Sequence, residues 1–275
     1  MRSLLLLLAI FLTQLLHAQF HIGAFAGIAN YYGDLNDKAF NRPKPVIGVT
    51  GNYELTDRIM LRGGVTFAKI EGSDFFSGSA AKMADRGLSF QSNIWEFSLI
   101  GELTTFNLYN IRWSPYIFGG VAIFHYNPYT FDALGNKVFL QPLSTEGQGL
   151  PAYPEKSAYA LTDLSLPIGA GIKYNLSGRI RIGAELGLRK TFTDYLDDVS
   201  GTYPDETELR SAKGNLAVEM AYRGVGSFPV KGELRGNALK KDGYYFTGLH
   251  LTYRLGSGSN YGSSKKKLDC PKVVM

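Results

Sequence analysis

Arg179 to Arg189 reads RIRIGAELGLR. Ile180, Ile182, Ala184, Leu186 and Leu188 take every second position, and Arg179, Arg181, Gly183, Glu185, Gly187 and Arg189 take the others. A period of two is the period of a β-strand, whose successive side chains point to opposite faces. One face of this segment is wholly apolar and the other is charged or glycine.

The same alternation recurs along the chain. Trp95, Phe97, Leu99 and Leu103 oppose Glu96, Ser98 and Glu102; Ile59, Leu61, Val65 and Phe67 oppose Met60, Arg62 and Thr66. Near the end, Leu249, Leu251, Tyr253 and Leu255 oppose His250, Thr252 and Arg254. In all there are eight such segments, spanning 20–30, 45–55, 58–70, 94–105, 115–127, 163–175, 179–191 and 244–255. A tilted strand needs about 9–11 residues to cross the hydrocarbon layer of a membrane, which these segments supply. The connections are short at Thr56-Asp57, Phe106–Ser114 and Leu176–Gly178, and long at 31–44, 71–93, 128–162 and 192–243. Short and long alternate along the chain, as periplasmic turns and outer loops do in a transmembrane barrel. The expected fold is therefore all-β: an eight-stranded antiparallel transmembrane β-barrel with long outer loops, short periplasmic turns and both termini in the periplasm.

A soluble eight-stranded barrel also alternates, with its apolar face inward. Periodicity alone does not choose the face. Export, loop asymmetry and aromatic residues near segment ends (Tyr53, Trp95, Tyr116, Tyr126, Tyr174, Tyr253) favour the membrane. The charges opposite the apolar stripes would then fill the lumen as ion pairs: Glu54, Arg62, Glu96, Glu102, Lys173, Arg181, Glu185, Arg189 and Arg254. Eight strands leave an interior just wide enough for side chains. A plugged lumen follows, with Arg62 or Arg181 expected to pair with Glu96 or Glu102, and a general diffusion pore is not expected.

Residues 1–18, MRSLLLLLAIFLTQLLHA, read as a secretory signal peptide: one basic residue, an apolar run and a small residue at the cleavage point. The barrel is assigned to residues 19–255. Residues 256–275 read as a flexible periplasmic tail, opening with the linker-like GSGSNYGSS. The net charge of +5 is mild, and an exported chain without a dense basic face is not a nucleic-acid binder. Cys270 is the only cysteine, so an intramolecular disulfide framework is excluded.

Nothing in the chain spells out an active site. His21, His125 and His250 are each alone in a strand, and no nucleophile–base or metal-ligating spacing recurs. Neither an enzyme nor a cofactor is expected, nor a small-molecule substrate. The stretch TDYLDDVSGTYPDE, Thr193 to Glu206, carries four Asp and one Glu at the start of the longest outer loop. Its spacing differs from an EF-hand and lacks that motif's central glycine. It reads as a solvated acidic rim, with a calcium site as the lesser alternative, followed by one short amphipathic helix over the barrel mouth at 211–222.

Four ordered pieces carry a family resemblance. They are NYYGDLND at Asn30–Asp37, YLDDVSGTYPD at Tyr195–Asp205, RGNALKKDGYYFTGLHLTYRL at Arg235–Leu255, and Cys270-Pro271-Lys272. They resemble the PorG-like (DUF6089) outer-membrane proteins of Bacteroidetes, with Gly243 standing where that pattern has an aromatic residue. The resemblance implies an accessory barrel of the type IX secretion machinery, which in some relatives also supports gliding. It further implies association with a periplasmic ring of PorK- and PorN-like proteins. Tyr32, Gly33, Asp34, Asp194, Tyr195, Asp197 and Asp198 then form an outer-loop motif, expected to serve loop folding or rim contacts rather than catalysis. The basic tail with Cys270 becomes a partner anchor, through an intermolecular disulfide to the ring. An OmpA-like structural barrel, or a barrel with an enzyme at its rim, is the alternative.

Overall fold

Each of the eight alternating runs forms a strand in the computed structural model, which describes residues 20–36, 38–76 and 86–255. The signal segment 1–18, the tail 256–275 and Cys270 lie outside the described residues. The barrel staves are β1 (Phe20–Tyr32), β2 (Lys44–Glu54), β3 (Ile59–Ser73), β4 (Ser89–Thr104) and β5 (Trp113–His125), then, beyond a small hairpin, β8 (Thr162–Asn175), β9 (Ile180–Thr191) and β10 (Gly243–Arg254). Neighbours in the chain pair antiparallel, and β1 pairs with β10 over His21↔Arg254 to Tyr32↔Gly243, which closes the barrel. Three tight connections lie at one end, the turn end, together with the start of β1 and the close of β10. Four long connections lie at the other, the loop end.

The faces sort as side-chain chemistry demands. Along β9 the exposure alternates residue by residue: Leu186 and Leu188 are each 44% exposed, whereas Glu185 and Arg189 are 7% and 4% exposed. The charged face is the inner one. Outside, Val49, Phe97, Ile117, Leu164, Ile172 and Leu249 stand in the open. A contiguous apolar wall around all eight staves has no aqueous solution; it is the surface of a membrane barrel. The wall has marked edges. On β3 the outward row from Ile59 to Phe67 lies between Arg58 and Lys69, and on β9 the row from Ile180 to Leu188 lies between Arg179 and Lys190. At the usual strand tilt such rows cover an apolar band about 25 Å tall.

Four features differ from the sequence expectation. Strands β3 and β4 are longer than 58–70 and 94–105: their hairpin rises beyond the wall and pairs as far as Ser73↔Ser89. The loop after β5 adds a hairpin, β6 (Tyr129–Phe131) with β7 (Lys137–Phe139), joined to the β4 edge at Gln91↔Tyr129. Tyr116 and Tyr126 do not belong to an outer aromatic girdle; at 1% and 0% exposed they are interior, because they share the inward parity of Phe118 and Phe124. Glycine makes the room: a Cβ on Gly171 would lie 2.7 Å from the Tyr116 ring. The helix expected at 211–222 is two helices, α1 (Glu206–Lys213) and α2 (Asn215–Ala221). Asp205 caps α1 by accepting from the Thr207 and Glu208 amides, and Gly214, at φ 84°, ends it in a conformation suited to glycine.

Candidate functional site: the paired lumen and the loop dome

Strand register fixes which lumen charges meet. Near the turn end, Glu54 from β2 accepts from Arg181 at 2.5 Å and from the Tyr109 hydroxyl at 2.5 Å, with Arg254 at 3.9 Å and His21 at 3.5 Å. At mid-height, Arg62 reaches Glu102 at 3.1 Å and Glu185 at 2.7 Å; Lys173 also bonds Glu102, and the Tyr116 hydroxyl donates to Glu185 at 2.5 Å. Toward the loop end, Arg189 holds Glu96 at 3.2 Å, Tyr244 donates to Glu96 at 2.8 Å, and the Arg189 guanidinium lies 4.0 Å from the centre of the Phe246 ring. Arg62 thus meets Glu102, whereas Arg181 meets neither Glu96 nor Glu102. It sits at the start of β9, level with the end of β2, and so takes Glu54. Each charge stands in a closed interior where losing one partner of a buried pair costs about 3–5 kcal/mol.

Beside and above the upper pairs an apolar cluster fills the bore. Phe25, Ala29, Ile70, Phe90, Phe124 and Phe246 are all buried. Over it the loops form a dome, and here the acidic stretch has its place. It is not a solvated rim: Asp194, Asp197 and Asp198 are 3%, 1% and 0% exposed. Backbone and side-chain donors supplied by the surrounding loops account for this. Asp197 accepts from the Val199 amide at 2.9 Å, and its other oxygen lies 2.6 Å from the Tyr31 hydroxyl. That same hydroxyl lies 2.9 Å from Asp242, whose second oxygen accepts from the Leu196 amide at 3.0 Å. Asp198, at φ 68°, accepts from Thr145 at 2.5 Å and Tyr159 at 2.6 Å. Asp194 accepts from Ser200 at 2.6 Å. Burial pushes the Asp194 and Asp198 carboxyls up to about 6, against the nearby Arg235 in the second case. Burial raises Asp197 and Asp242 well above the carboxylate range; the charge of Asp34 adds to both, and that of Asp197 adds to Asp242.

The rest of the outer-loop motif has steric and hydrogen-bonding roles. Asp34 accepts from the Asn237 amide at 2.8 Å. Gly33 leaves room for Tyr31 and Asp242, because a Cβ there would overlap both. Tyr32 lays its ring on Gly243, so an aromatic residue at 243 would collide with it. Tyr195 stacks on Tyr159 at 4.6 Å and 5°, and Tyr159 on Tyr126 at 6.5 Å and 7°, which ties three segments into one pile of rings.

Sequence reasoning did not find several members of the dome. Arg235 bonds Glu146 at 3.1 Å and lies 3.6 Å from Asp198. Arg86 clamps Asp74 at 2.8 and 3.0 Å and donates to the Asp34 carbonyl at 2.8 Å. Glu146 takes the Ser200 and Gly201 amides, each at 2.9 Å. Arg235 had a signal, since it opens the RGN piece; Glu146 had none. Donors from separate loops face the carboxyls of Asp197, Asp198 and Asp242, so the arrangement ties the loops to one another.

Among solved structures, the chain is similar to Neisserial surface protein A (10% identity, 86% of this chain and 96% of that one, TM-score 0.42). It is similar also to Ail of Yersinia pestis (10%, 86% and 99%, TM-score 0.41) and to OprG of Pseudomonas aeruginosa (10%, 86% and 97%, TM-score 0.40). No curated protein matches the sequence. The family described as "Domain of unknown function (DUF6089)" matches residues 1–138, half of the sequence, and the chain belongs to that family.

Proposed function

We propose that the protein is a non-conducting outer-membrane anchor, an accessory barrel of a type IX protein secretion machine. The observation that carries the non-conducting part is the bore itself: ion pairs at three heights, an apolar cluster beside and above the upper ones and a hydrogen-bonded dome over both. Such a barrel offers surfaces, not a passage. The secretion assignment is supported by the four ordered motifs that resemble the PorG-like proteins. In this reading the loops face outward, and both termini and the short turns face the periplasm. The tail reaches PorK- and PorN-like ring proteins, with Cys270 as a covalent link. The protein is not an enzyme and serves, in gliding relatives, the same apparatus.

Affinity purification from detergent-solubilised outer membrane tests it. Ring proteins should co-purify, Cys270→Ser should remove any reductant-sensitive band, and deletion should stop export of surface proteins. A barrel that purifies alone, from cells whose export survives its deletion, belongs instead with OmpA-like structural barrels.

A further inference from the structure

The outer wall ends unevenly at the loop end. On β3 the lipid-facing row passes from Val65 and Phe67 straight to Lys69, whose ammonium lies 5.9 Å from the centre of the Tyr129 ring. From the β6–β7 hairpin, Lys137 lies 3.7 Å from the same ring and 4.6 Å from Phe139. Arg42 and Lys44 stand beside them and bond the two oxygens of Glu71 at 2.7 and 2.8 Å. Asp132, at the hairpin tip, is held by its own turn through Asn136 and Leu134. Among the described residues no carboxylate lies within ion-pair distance of Lys69 or Lys137. At the upper edge of the apolar wall, Glu71 therefore takes Arg42 and Lys44, and Lys69 and Lys137 keep their ammonium groups against the Tyr129 ring. Directly below, Phe67 and Trp95 pack at 4.9 Å, with Trp95 half exposed.

We propose that this patch holds the anionic headgroup of a membrane lipid, with Lys69 and Lys137 on its phosphate and its acyl chains along Phe67, Trp95 and Phe97. Height selects the ligand. A lysine that continues a lipid-facing row sits where phosphates lie, and an aromatic pair beneath it suits the interface. The Tyr129 ring gives both ammonium groups one common surface, so their spacing is set by the fold rather than by flexible chains. A soluble anion would gain the charge but not the apolar wall. On β9, Lys190 lies at the same height with no such partner ring on the hairpin, and serves as the reference.

The test uses the barrel in nanodiscs of phosphatidylcholine, with fluorescent diphosphoryl lipid A as the probe. Neither the probe nor the symmetric disc depends on which side the loops face. Each basic residue near a membrane surface is worth a factor of about 5 in affinity, so Lys69→Gln with Lys137→Gln should weaken binding about 25-fold. Lys190→Gln should cost about fivefold or less. Arginine at both 69 and 137 should restore binding, and heat-modifiable migration on electrophoresis should show every variant folded. Equal affinity in the wild type and the double glutamine variant overturns the proposal. So does displacement of lipid A by inorganic phosphate at matched phosphate concentration, which would mark an anion site without a lipid component.

Discussion

Tyr31 carries one hydroxyl proton and has two carboxyl groups within hydrogen-bond distance, at 2.6 and 2.9 Å. It donates to one, so the other must hold a proton of its own and donate back. The dome is therefore a proton-bearing structure at neutral pH. Asp242→Asn should imitate the protonated acid, its amide donating to the Tyr31 oxygen while its carbonyl accepts from Leu196. The single variant should fold as well as the wild type, or better at pH 8. Adding Asp197→Asn leaves the Tyr31 hydroxyl no carboxylate to meet and should cost about 1–3 kcal/mol, measured as faster exchange of the Leu196 and Val199 amides. The wild-type dome should have a definite pH dependence. Its buried acids bind protons more tightly folded than unfolded, so their contribution is full below about pH 4 and is lost as pH rises. For Asp198 the window runs from about 4 to 6 and is worth ~3 kcal/mol. Exchange that slows with rising pH, after correction for intrinsic rates, would contradict this sign.

Strands obey a harsher rule than loops, since every second side chain meets lipid. Leu186→Arg on β9 should cost about 2–4 kcal/mol in urea titration of the bilayer-folded barrel. The inward face gives the opposite test. Arg189→Met strands Glu96 and should destabilise by about 3–5 kcal/mol, while Arg189→Met with Glu96→Gln should recover part of that loss. Strictly additive costs would show that the two act apart. The eight staves were readable in sequence because Leu186 and Glu185 meet such different surroundings, and alternation records the difference. The rise of β3 and β4 past the wall was not readable, because Glu71, Ser73, Ser89 and Gln91 sit above the lipid, where both faces touch polar groups and the pattern lapses. Lumen pairing was readable in kind but not in partner: Arg62 and Arg181 alternate alike, and only register sends the second to Glu54. The dome was hidden for another reason. Tyr31, Glu146, Asp198, Arg235 and Asp242 come from four separated stretches, and no spacing in the chain links them. An acidic run looks solvent-loving until its donors are known.

At the scale of the molecule, a bore filled with paired charge should carry no ions. Reconstituted in a planar bilayer, the wild type should show no stepwise conductance, whereas Arg189→Gly with Phe246→Ala, which empties the upper bore, should raise leak; steady wild-type channels would refute a plugged lumen. The closing of β10 on β1 has a further consequence, for the order of assembly. The segment that feeds β10 also delivers Arg235 and Asp242 to the dome. Until the final strand arrives, β1 and β9 are open edges, Asp197 lacks its bridging acid and Glu146 lacks its arginine. Wall and roof are thus finished by the same last piece of chain. A nascent protein missing that piece has neither, so a stalled or clipped molecule exposes raw strand edges and loose loops together, in a form that folding factors and proteases can tell from the completed one.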